Sequence, residues 1–78
     1  MNTYQIQMNS GQISYLCDFF SEYKDERIKT TLLSSNRVQA VFEAMTALPG
    51  EEAVKHLKQV FQQSKFGPVL YYSIKKIQ

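Results

Sequence analysis

The chain has 78 residues, 44% of them hydrophobic and 13% aromatic, with nine Lys+Arg against seven Asp+Glu and a net charge of +2. That length sets residues 1–78 as a single domain and excludes a two-domain enzyme or a dinucleotide-binding α/β unit. The composition excludes a disordered tail, a collagen-like repeat and a low-complexity chain.

Residues 3–8, TYQIQM, alternate Tyr4, Ile6 and Met8 against Thr3, Gln5 and Gln7. Period two with an apolar and an uncharged polar face predicts a half-buried strand, which Asn9-Ser10-Gly11 ends. Over residues 12–24, Ile13, Leu16, Cys17, Phe20 and Tyr23 fall at helical spacing, with Ser10 placed to cap. The rival reading is a strand with Ile13, Tyr15, Cys17 and Phe19 on one face and a hairpin turn at residues 9–11. It would put Leu16 and Phe20 beside Asp18, so a helix is expected. Residues 27–33, RIKTTLL, alternate Ile28, Thr30 and Leu32 against Lys29, Thr31 and Leu33 and predict a second strand.

A helix is then expected over residues 36–48. Asn36 and Gln39 have the spacing of a capping box, and Val38, Val41, Phe42 and Met45 make a stripe beside Ala40, Ala44 and Ala47. Pro49 ends it, and Pro49-Gly50 opens another helix with Glu51 and Glu52 at its positive end and Ala53, Val54, Leu57, Val60 and Phe61 as its stripe. Glu51 and Lys55 have the spacing of a favourable helical ion pair. Gly67-Pro68 stops the run, and residues 69–77, VLYYSIKKI, predict a final strand with Leu70, Tyr72 and Ile74 opposite Val69, Tyr71 and Ser73.

The fold class expected is α+β: a small three-stranded sheet with three helices packed on one face, in the order β-α-β-α-α-β. The strand reading of residues 12–24 would give an N-terminal β-hairpin instead (ββ-β-α-α-β).

Few groups offer chemistry. Cys17 is the only cysteine and His56 the only histidine, so neither an intramolecular disulfide nor a thiolate zinc site can form. Cys17 lies on the apolar stripe of its helix, and His56 is expected at a helix boundary, paired with Glu52 four residues earlier. The acids follow a helical surface (Asp18, Glu22, Asp25, Glu26) or a helix start (Glu51, Glu52), and Gly11, Gly50 and Gly67 are isolated, so no phosphate-cradling loop is present. The expectation is a non-enzymatic protein with no cofactor and no metal. A lone cysteine, no signal-peptide pattern and no long apolar run point to a soluble protein of a reducing compartment, most simply the cytoplasm, with no membrane partner.

Charge is unevenly placed. Residues 1–52 hold four basic and all seven acidic residues, a net of −3, whereas residues 53–78 hold Lys55, Lys58, Lys65, Lys75 and Lys76 and no acid. Such lysines either solubilise a helix and an edge strand or meet an anionic partner. Two nucleic-acid geometries suit the pattern. The two helices around Pro49-Gly50, flanked by strands, have the element order of a winged helix-turn-helix core, but Glu51 and Glu52 would stand where base edges are met. An open sheet face with Tyr71 among Gln5, Gln7, Lys29 and Lys75 would make a stacking platform.

Against these stands a protein partner. Val69 and Tyr71 lie opposite Leu70 and Tyr72, and Tyr15 and Phe19 fall off the main helical stripe, leaving more aromatic surface than a small core hides. The leading expectation is stoichiometric docking on a protein partner, with a homodimer as one way to cover that surface. The partner-binding candidates are Lys55, Lys58, Lys65, Tyr71, Lys75 and Lys76. Size and inventory suit an accessory protein, regulator or inhibitor of the kind carried by phages and mobile elements. The alternative is a nucleic-acid-binding regulator using the five lysines.

Overall fold

A computed structural model describes residues 2–78. Its elements are β1 (Asn2–Asn9), α1 (Ile13–Phe20), β2 (Ile28–Ser35), β3 (Gln39–Thr46), α2 (Gly50–Gln62) and β4 (Ser73–Lys76). The strands form one antiparallel sheet in the order β2-β3-β1-β4. Each β-α-β unit is split by a strand of the other: β3 lies between β1 and β2, and β1 between β3 and β4. This is the ferredoxin-like topology.

The class is α+β as expected, but the sheet has four strands and two helices cover it. The difference lies in residues 36–48, which form a hairpin loop and β3 in place of a helix. Asn36 does act as a cap, but of a turn: its Oδ1 accepts from the Val38 and Gln39 amides at 3.0 and 2.9 Å, and its own amide donates to the Gln39 carbonyl. Beyond it, Ala40, Phe42, Ala44 and Thr46 alternate inward. No helix-turn-helix unit is formed among the described residues, because the expected first helix is β3, and the winged-helix geometry falls with it.

The inner face supplies the core. Ile6 is paired with Phe42 and Met8 with Ala40 across β1 and β3, Ile28 and Thr30 enter from β2, and Ile74 faces Met8 from β4. Ile13, Leu16 and Phe20 of α1 and Ala53, Leu57 and Phe61 of α2 close over it. Phe20 bridges the layers, with ring centroids 6.0 Å from Phe42 and 5.8 Å from Phe61. Phe19 is half-buried, edge-on to Phe61 at 5.4 Å, so it belongs to the core and not to a surplus surface. The opposite sheet face is open and carries Thr3, Gln5, Gln7, Lys29, Thr31, Glu43, Met45 and Lys75, with no aromatic ring.

Helix α1 stops at Phe20, short of the expected Lys24, because the chain turns to serve β2. The Tyr23 and Ser21 carbonyls accept from the Thr30 and Leu32 amides, so residues 21–25 pair along the outer edge of β2. Ser10 does not cap α1; its hydroxyl accepts from the Gln12 amide and donates to the Tyr71 carbonyl at 2.8 Å. The last strand begins at Ser73, four residues later than expected. The Phe66 carbonyl accepts from both Val69 and Leu70, which holds residues 66–70 in a turn. Gly67 makes that turn possible, since a Cβ there would overlap the Phe61 carbonyl oxygen.

Candidate functional site: a lysine groove at the β4 edge

Helix α2 starts at Gly50 behind Pro49, whose carbonyl accepts from the Ala53 amide. Ala53, Leu57 and Phe61 anchor one stripe in the core, which fixes a second stripe at Glu51, Val54, Lys55 and Lys58. That stripe lies over β4. Glu51, Val54, Lys55 and Lys58, with Gly50, face Ile74, Lys75 and Lys76 across a groove of about 360 Å³. Val54 is half-buried and Ile74 buried, giving the groove an apolar floor bordered by Lys55, Lys58 and Lys76, with Lys75 on the far side of the strand.

Gly50 matters to this geometry. A Cβ on it would meet the Lys76 Cδ at 2.7 Å, so the absent side chain leaves the path along which the Lys76 stem runs. The Lys76 Nζ lies 5.7 Å from the Tyr4 ring centroid, and the Tyr4 hydroxyl is tied to the Leu48 carbonyl at 3.2 Å.

The groove's charge is only partly compensated. Glu51 is its only carboxylate, and the expected Glu51–Lys55 pair is not formed. Among the described residues the one ion pair within 4.0 Å is His56–Asp25, elsewhere on α2. Four lysines against one carboxylate leave the groove's surroundings with a net positive potential.

On the other flank of α2, His56 pairs with Asp25 and not with Glu52. Its Nε2 lies 2.7 Å from Asp25 Oδ2, the Tyr23 hydroxyl donates to the same oxygen at 2.6 Å, and Oδ1 accepts from the Arg27 and Ile28 amides. Burial alone would raise the Asp25 pKa. The hydrogen bonds from Tyr23, His56 and the two amides outweigh it and hold it down at about 2. An ionised carboxylate only accepts, so Nε2 carries the imidazole proton. Burial and then the Asp25 carboxylate push Tyr23 up to about 12. The depression beside His56 is lined by Arg27, Leu48, Glu52, Lys55 and Gln59, with no hydroxyl or thiol for an imidazole to activate. Geometrically the cluster is a tie between the β2 edge segment and α2. Cys17 is half-buried, and burial pushes its thiol up, away from the nucleophilic thiolate.

Of the six candidate residues, the structure thus gathers Lys55, Lys58, Lys75 and Lys76. Lys65 lies apart, its Nζ 5.1 Å from the Phe66 ring centroid. Tyr71 is 96% exposed and Val69 74%. Tyr71 precedes β4 and borders a separate depression with Ser10, Gly11 and Gln12, beyond the paired register of the sheet. The stacking platform imagined on the open face therefore has no ring in it. Sequence reasoning missed Gly50, Val54 and Ile74 as groove components. Spacing of 51, 54, 55 and 58 held the signal for the α2 half, but nothing local joined it to β4.

No helix among the described residues is long and apolar enough to cross a membrane. No family model, curated protein or solved structure matches the chain.

Proposed function

We propose that this chain is a non-enzymatic binding protein that docks stoichiometrically on a protein partner through an acidic surface of that partner, with Lys55, Lys58, Lys75 and Lys76 as the contact residues. The observation that supports the reading is that four lysines without an ion-pair partner, from two distant stretches of chain, border one groove with an apolar floor. Buried apolar contact supplies affinity at an interface centre, and the surrounding charge supplies partner choice and association rate. A regulator, inhibitor or accessory subunit works in this way.

A nucleic acid is the competing anion. The groove suits it less: Glu51 sits on its rim, its floor is aliphatic, and no aromatic ring or arginine lines it. Titration against polyglutamate, duplex DNA and single-stranded RNA over a series of salt concentrations separates the two. Preference for polyglutamate by about tenfold or more at 0.15 M salt is the expected result. Tight nucleic-acid binding with a steep salt slope and no response to polyglutamate would overturn the proposal.

A further inference from the structure

The groove is lined by residues from both sides of one strand. Ile74 and Lys76 project to the helix side of the sheet, where Ile74 is buried and Lys76 lies against Tyr4, whereas Lys75 projects to the open side opposite Gln7. One cavity is lined by all three, together with the Gly50–Lys58 face of α2. The outer edge of β2 is occupied by residues 21–25, but β4 is the terminal strand on the other side, with no segment among the described residues paired beyond it. Pairing with β1 continues past Lys76 through the Gln5 and Gln78 backbone groups, so residues 73–78 offer an extended rim.

Resting on the docking role above, we propose that the occupant is an extended acidic segment of the partner, added to β4 as a fifth strand. Backbone hydrogen bonds to the β4 rim would give affinity, and alternate side chains would divide between two environments. Those on the helix side meet Val54 and Ile74 with Lys55, Lys58 and Lys76 around them. Those on the open side meet Lys75. A second copy of this chain suits the edge less well, because antiparallel β4–β4 pairing centred on Lys75-Lys76 sets like charges opposite each other and the groove's excess of lysine meets no added acid.

The test uses a blocked peptide, Glu-Val-Glu-Glu-Val-Glu, whose two strand faces each carry two carboxylates and one valine. It is titrated into isotope-labelled protein beside two versions N-methylated at odd or at even amides. The inference expects cross-strand NOEs from the peptide to the 73–76 backbone, slowed exchange of rim amides, and a weakening of about tenfold or more in one N-methylated version. It also expects binding to be lost in Lys55→Glu/Lys58→Glu, whose substitutions lie on a helix surface and whose spectrum reports retained folding. Equal binding by all three peptides would overturn strand addition, as would a peptide that fails to bind while polyglutamate binds. Failure of polyglutamate itself would refute the docking role. Sedimentation showing dimers that Lys75→Glu abolishes would point to a second copy and also overturn the inference.

Discussion

Replacing Asp25 by Ala removes the acceptor for four donors at once: the Tyr23 hydroxyl, His56 Nε2 and the Arg27 and Ile28 amides. The side chain is 25% exposed and His56 17%, so solvent screens the cluster only in part. The fall of the Asp25 pKa from 3.8 to about 2 measures how much the fold prefers the ionised form. At about 1.4 kcal/mol per tenfold change in proton affinity, that preference is worth about 2 kcal/mol. A domain of this length has a stability of about 4–12 kcal/mol, so the loss is large. The sign follows from the depressed value: the contribution is complete above the unfolded pKa near 3.8 and disappears as pH falls towards 2. Urea unfolding followed by far-UV circular dichroism, apt for a chain without tryptophan, should show Asp25→Ala about 2 kcal/mol less stable at pH 7. The gap should shrink steadily below pH 4. A gap that stays constant from pH 7 to pH 3, or one below about 0.5 kcal/mol at neutrality, would refute the assignment of this cluster as a tie between the β2 edge and α2.

Three further outcomes follow from packing. Phe42, fully buried beneath Phe20, should cost about 3–5 kcal/mol when changed to Ala, enough to leave little folded protein at 37 °C in a thermal melt. The buried Thr46 hydroxyl donates to the Arg27 carbonyl at 2.6 Å and accepts from the Leu48 amide, so Thr46→Val should cost about 1–3 kcal/mol in urea unfolding despite equal volume. Gly67→Ala should cost about 2 kcal/mol or more because its Cβ would overlap the Phe61 carbonyl and Gln62 Cα, whereas Gly11→Ala, with nothing within 4 Å, should stay within about 0.5 kcal/mol.

The local patterns that read correctly were those in which only one period fits. Tyr4, Ile6 and Met8 alternate with uncharged polar residues and admit no helical face, and β1 appears where expected. Helix α2 was legible from its proline, its acidic first turn and its 53-54-57-60-61 stripe. Residues 36–48 satisfied both periods. Val38, Val41, Phe42 and Met45 mark a helical face, while Ala40, Phe42, Ala44 and Thr46 mark a strand. Three alanines and a capping-box spacing favour the helix locally. The sheet wins because β3 sits between β1 and β2, where its inner face must stay low enough for α1 to pack. Alanine at 40 and 44 meets that need and is misleading only in isolation. The site divides in the same way. The excess of lysine after residue 52 was plain, as was its division between a helix and a strand. That Lys55 and Lys58 meet Lys75 and Lys76 depends on β4 returning beside β1 after the turn at Gly67. The His56–Asp25 pair spans 31 positions and competed with a nearer carboxylate at Glu52.

The proposed docking role places the acidic partner at the rim between α2 and β4. Amide chemical-shift mapping of the labelled protein with polyglutamate tests it directly. Shifts are expected to centre on Gly50–Lys58 and residues 73–78 and to be abolished by Lys55→Glu/Lys58→Glu. Shifts centred on Val69 and Tyr71, or on the open face away from β4 at Thr3, Thr31 and Glu43, would contradict it.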